Sequence, residues 1–175
     1  MSIPAMHGDR AGATRDFVML VGETTKSDCQ TPRQMVLFVD VTIEDHPVVV
    51  SSYTVPDEDG RFCARSGRFG AHASNESFAS VFYEKLTFIS HFNAGVRVLD
   101  IRDPYRPREV GFYIPATTDR TCEKSSLAAP CRRVVQTNNV ETDARGLVFI
   151  VDRANTGMHI LRLTGEAASI AGSPD

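Results

Sequence analysis

Three short polar stretches hold most of the side chains able to do chemistry: MHGDR (6–10), AHASNE (71–76) and TNNVETD (137–143). The first carries His7 and Asp9, the second His72, Asn75 and Glu76, the third Asn138, Asn139 and Glu141. Neutral imidazole together with carboxylate suits zinc, iron, manganese or copper. His7, His72 and Glu76 are therefore the candidate metal ligands, with a divalent transition metal as the candidate cofactor. Asn75, Asn138, Asn139 and Glu141 are candidate ligand- or channel-lining groups. A second set, Glu23, His91 and Asp152, recurs at one position of a sequence repeat, at strand ends. It is expected either at the mouth of the same channel or as a ring of turn stabilisers bonded to local backbone. Arg61, Arg65 and Arg68 form a basic loop, RFCARSGRFG. Such a loop can grip an anion bidentately or simply be a solvated face.

Other chemistries are unsupported. Ser74 and Ser77 lie near His72, but no G-x-S-x-G elbow is present. No glycine-rich phosphate loop precedes a helix. The net charge is −3 and tryptophan is absent, so neither nucleic acid nor an anionic membrane surface is an indicated partner. No apolar run approaches the ~20 residues of a membrane span. The segment MSIPAMHGDRAGATRD lacks a basic region followed by an apolar one and does not read as a signal peptide. The expectation is a cytoplasmic chain, or a periplasmic or extracellular one if its true start lies upstream. Cys29, Cys63, Cys122 and Cys131 include no C-x-x-C pair. Cys122 and Cys131 bracket a polar loop that a disulfide could close, and a Cys29–Cys63 disulfide is plausible too. Reduced thiols are the alternative.

The elements that must position these residues are strands. Bursts such as DFVMLVGE (16–23), QMVLFVDVTI (34–43), LTFISHF (86–92), VRVLDIRD (96–103) and LVFIVDR (147–153) are rich in Val, Ile and Phe and bounded by turn residues. No amphipathic helix of twelve or more residues is evident, so the chain reads as all-β. The bursts recur. LTFISHFNAGVRVLDI parallels LVFIVDRANTGMHILRL, and VDVTIEDHPVVVSSYTVP parallels LDIRDPYRPREVGFYIP, with Asp40 matching Asp100 and Pro47 matching Pro107. The unit repeats about every 60 to 67 residues and favours a propeller over a sandwich, which has no reason to repeat sequence. The polar stretches would then be innermost, near a central channel. One propeller-type domain is expected, with blades at approximately 6–56, 70–115 and 134–165 and a disordered tail at 166–175. Three blades make an incomplete ring, because propellers close with ~4 to 8. Either further N-terminal blades or self-association would complete it.

FNAGVRVLDIRDPYRPREVGFYIP resembles the repeat of bacterial LVIVD-type propeller proteins, with its Gly-hydrophobic-x-hydrophobic-Asp-hydrophobic-x-Asp-Pro pattern. GLVFIVDRANTGMHILRLTG resembles a closing blade of the same group, and RFGAHASNES resembles one of its lead-ins. The resemblance spans roughly residues 16–165 and implies a fold rather than a reaction. Propellers of selenium-binding proteins are more distantly similar, but no motif here matches their chemistry. Three functional readings follow: a module binding a small molecule or protein, a metal-dependent enzyme with its site in the channel, or a structural subunit of a multi-chain ring.

Overall fold

The computed structural model describes residues 2–4, 14–32, 34–77, 79–124 and 126–172. The architecture is all-β: eleven strands and one short helix among those residues. The first sheet is a meander of β1 (Ser2–Pro4), β2 (Thr14–Val21), β3 (Val36–Asp40) and β4 (Val48–Tyr53). The second runs β5 (Phe69–Ser74), β6 (Leu86–Phe92), β7 (Val96–Asp100) and β8 (Arg108–Tyr113). The third comprises β9 (Thr137–Thr142), β10 (Leu147–Asp152) and β11 (Gly157–Arg162). A single bridge pair, Phe92 with Thr137, joins the second and third units into one seven-stranded sheet of order β11-β10-β9-β6-β7-β8, with β5 on β6.

The central hairpins share one register. Phe17 pairs with Asp40, Leu86 with Asp100 and Leu147 with Arg162. Four residues further on, Val21 pairs with Val36, Ser90 with Val96 and Val151 with Met158. Residues 17, 86 and 147 are thus equivalent. Bulges interrupt β3–β4 at Phe38/Val39 and β7–β8 at Val98/Leu99, again at matching places. The turns out of β3 and β7 match too: Asp40 accepts the Thr42 N–H at 3.0 Å and Asp100 the Arg102 N–H at 3.2 Å. An aspartate that bonds backbone two residues on stabilises such a turn locally.

The sheets stack face to face. Phe17, Val36 and Phe38 of the first pack on Ala71, Ile89 and Leu99 of the second. From the opposite face of the second sheet, Leu86, Phe88, Val96 and Val98 pack on Val140, Val148 and Ile150 of the third. Side chains alternate across a strand, so β6 and β7, covered on both faces, are buried at every position. Each large apolar side chain fully buried there contributes ~1.5–3 kcal/mol.

Two expectations need correction. The stretch 166–175 was expected to be a disordered tail, yet Gly165–Ala171 is a helix, α1, with Ala167, Ala168 and Ala171 buried. The third sheet has no fourth strand among the described residues, and α1 covers the apolar surface of the seam instead. Small alanines permit close approach: a Cβ added at Gly111 would lie 3.9 Å from that of Ala167. Glu166 accepts two hydrogen bonds from Arg108 of β8, at 2.6 and 3.1 Å. Gly172 ends the helix in the left-handed region at φ 76°. The first sheet also opens earlier than residue 6, because β1 pairs Ser2 with Asp16 and Pro4 with Thr14. His7 and Asp9 lie outside the described residues.

Disulfides join Cys29 to Cys63 and Cys122 to Cys131. No helix among the described residues is long and apolar enough to cross a membrane.

Candidate functional site

By the shared hairpin register, residues 23, 92 and 153 occupy one position, at the end of β6 and just past the ends of β2 and β10. Glu23, Phe92 and Arg153 converge with Arg68, just before β5, and His72 of β5. The Arg68 and Arg153 guanidinium carbons stand 5.4 and 5.3 Å from the Phe92 ring centre. His72 meets the same ring edge-on at 4.9 Å. Arg68 Nη1 donates to Glu23 Oε1 at 3.0 Å, and His72 Nε2 lies 3.7 Å from that oxygen. Phe92 is fully buried and sits at φ 47°, a conformation bulky residues rarely adopt. It lies where β6 leaves its ladder for the turn closed by Gly95, whose N–H bonds the Phe92 carbonyl at 3.0 Å.

Beside this cluster lies a polar cleft of about 340 Å³, a volume within the range of small-molecule pockets. Lys26, Arg68, Lys124, Arg132 and Arg153 line it, against only two carboxylates, Asp28 and Glu123. The carboxylates take part of the available donors: Arg132 bonds Asp28 at 2.6 and 2.7 Å, and Arg153 bonds Glu123 at 3.0 Å. A guanidinium has five N–H groups, so Arg68, Arg132 and Arg153 retain donors for a ligand. An excess of cations in a concave site focuses field on an anion.

Buried groups hold these cations in place. Gln136 is fully buried, accepts the Arg68 N–H at 3.0 Å through Oε1 and returns Nε2 to the Arg68 carbonyl at 3.2 Å. Asp152 accepts the Gln136 N–H at 2.5 Å and the Ala154 N–H at 2.7 Å, flanking Arg153. Three wall residues, Asp28, Glu123 and Arg132, adjoin the disulfide cysteines Cys29, Cys122 and Cys131. The backbone of the cleft is thus covalently tied.

The residues singled out from sequence are dispersed. Of the trio Glu23, His91 and Asp152, Glu23 faces the cluster. Asp152 serves the β10–β11 turn. His91 is buried against Phe69, ring centres 5.5 Å apart. Burial pushes the His72 pKa below the ordinary imidazole range; Glu23 opposes this, while Arg153 and Arg68 reinforce it. The carboxylate within 4 Å of His72 is that of Glu23, not Glu76, which is exposed. Among the described residues no group of three or more His, Cys, Asp or Glu is arranged to hold a metal ion, and two guanidiniums beside His72 repel a cation. Asn75 accepts the Phe88 N–H at 2.9 Å and the Thr87 hydroxyl at 3.2 Å, fastening the segment after β5 to β6. Glu141 accepts the Glu76 and Ser77 N–H groups at 3.0 and 3.1 Å; burial alone would raise its pKa, but these hydrogen bonds hold it below the usual carboxylate range. Asn138 bonds its neighbour Asn139 and accepts from Ser90 through its carbonyl.

Sequence reasoning missed Arg153, Arg132, Lys26 and Lys124, which are scattered over loops of the first and third sheets. Of the basic loop, only Arg68 reaches the cleft, while Arg65 stacks on Phe62 at 4.7 Å. No family model matches the chain, and no curated protein matches it either.

Proposed function

We propose that this chain is a propeller-type binding module that captures a small polyanion, bearing phosphate or carboxylate groups, in the basic cleft. The observation that carries the reading is the lining itself: five cations against two carboxylates, with Glu23 on Arg68 from outside the cleft as a third, in a chain whose net charge is −3. Arginine forks match the oxygen geometry of both anion classes. The stacked meanders, common register and matching bulges support the propeller part, as does the resemblance to LVIVD-type repeats. Two disulfides whose cysteines adjoin lining residues favour a periplasmic or extracellular setting, where such bonds persist.

Titration calorimetry with pyrophosphate and with citrate tests the reading and separates the two anion classes. Saturable binding of one probe, weakening as salt is raised, is expected. Replacing Arg68 or Arg153 by Ala should weaken it by about tenfold or more, since a charged hydrogen bond contributes ~1.5–3 kcal/mol. Absence of saturable binding for both probes, or undiminished binding by the double variant, overturns it.

A further inference from the structure

The first and last sheets each leave an apolar face bare. On the first, Val18 and Leu20 are 38% and 50% exposed and Val49 57%. Val18 pairs with Val39 and Val39 with Val49, so these side chains form one row across the sheet, exposed at its two ends while Val39 between them is 7% exposed. On the last, Val151 is 46% exposed and its partner Met158 63%, with Ile160 beyond at 56%. Apolar groups contiguous on a sheet face mark an interaction surface.

The chain itself contains the template for covering both. In the shared register Val18 and Leu20 are equivalent to Thr87 and Ile89. That face of the second sheet is buried against the sheet before it. Val151, Met158 and Ile160 are equivalent to Ser90, Val96 and Val98. That face is buried against the sheet after it. Among the described residues no sheet covers either face, and each is equivalent to a face that a neighbouring sheet covers inside the chain. Charge agrees. Within the chain, Tyr105 of the β7–β8 loop reaches back to Asp40, 3.5 Å away, across the first seam. Residue 105 corresponds to Asp45, and Asp40 to Arg162. The same contact made between end sheets would set an exposed carboxylate against an exposed guanidinium.

We propose that a second copy of this chain packs head to tail, laying the β10–β11 face of one on the β2–β4 face of the other at both ends. The two-fold axis of such a pair makes both seams identical. The inference is independent of the anion cleft; its ring closure rests on the propeller reading.

Light scattering across a concentration series up to ~100 μM tests it. The expected mass is twice the 19.2 kDa of one chain; a monomer throughout overturns the proposal, and a mass that climbs without limit overturns ring closure. Leu20→Asp and Ile160→Asp should each weaken dimerisation by at least ~100-fold, as loss of a central apolar anchor does. Mixing the two variants should restore a dimer, because one unaltered seam then remains. A dimer broken by only one of them is isologous and overturns the head-to-tail arrangement. Asp45→Arg and Arg162→Asp should each weaken the dimer and, combined in one chain, recover it. Circular dichroism of each variant confirms that the chain remains folded.

Discussion

Two adjacent residues at the strand ends separate a structural role from the proposed anion-binding one. Asp152 is 5% exposed and accepts N–H groups from Gln136 and Ala154 at 2.5 and 2.7 Å. Both donors belong to fully buried residues. Asp152→Ala leaves them without acceptors, at about 1–3 kcal/mol each, so a total loss near 4 kcal/mol is expected. A domain of this size loses ~2–4 °C of melting temperature per kcal/mol, which predicts a fall of about 10 °C. Arg153→Ala removes a 32% exposed side chain whose ion pair with Glu123 is partly screened, so its cost is about 1 kcal/mol or less and the fall is about 4 °C or less. Anion binding should respond in reverse order, with Arg153→Ala losing about tenfold or more and Asp152→Ala less, when both are measured well below their melting points. Calorimetric melting paired with titration calorimetry measures both quantities. A melting temperature for Asp152→Ala within ~2 °C of wild type would refute the turn assignment. So would loss of binding in that variant but not in Arg153→Ala.

Three other outcomes are expected. Replacing Cys29 and Cys63 by Ser releases a loop of sequence separation 34, worth about 4 kcal/mol by chain entropy; the melting temperature should fall by about 10 °C, and anion affinity should fall with it because Asp28 loses its anchor. His72 is held below its ordinary pKa of 6.5 by burial. Below pH 6.5 the unfolded chain therefore binds the more protons, so this residue's contribution is complete above 6.5 and is lost as pH falls toward the folded value; urea titrations at about pH 7.5 and about pH 5.5 should differ less in His72→Gln than in wild type. Gly95 lies at φ 76°, and an added Cβ would come within 2.1 Å of the Tyr113 carbonyl oxygen. Gly95→Ala should thus cost at least about 2 kcal/mol in urea denaturation.

The strands were legible because burial and backbone preference agree in them. β6 and β7, covered on both faces, are continuous apolar runs apart from a few polar residues, and Asp100 with Pro104 announces the turn that follows. The helix at Gly165–Ala171 was not legible. One face of small alanines has little hydrophobic signature by itself, and a helix this short owes its stability to packing rather than propensity. What recruits it is the apolar surface left uncovered beside β8, a tertiary fact. The basic cleft was illegible for a similar reason. Lys26, Lys124, Arg132 and Arg153 stand alone in separate loops, and only the fold gathers them.

The misreading at the strand ends turns on one residue. Matching Glu23 to His91 and Asp152 aligns polar with polar. The hairpin register instead places Gly22 opposite those two, since Val21, Ser90 and Val151 are the equivalent strand residues before them. The first hairpin's connection between β2 and β3 is much longer than the others and holds the Cys29 loop, so the glycine that aligns Gly95 with Gly157 has no counterpart there. Side chains alternate faces along a strand, and a slip of one residue exchanges the inward set for the outward set. The consequence is chemical. At the position of His91 and Asp152 the first sheet offers Gly22, without a side chain, so Glu23 does not share that position with them. One residue on, Glu23, Phe92 and Arg153 differ in type yet meet around one buried ring. Since their types differ, the site they form is asymmetric and owes nothing to repetition: an acid, an aromatic and a base, joined by Arg68 from just before β5. Asymmetry of that kind suits recognition of one ligand in one orientation, which a ring of identical turn residues does not provide.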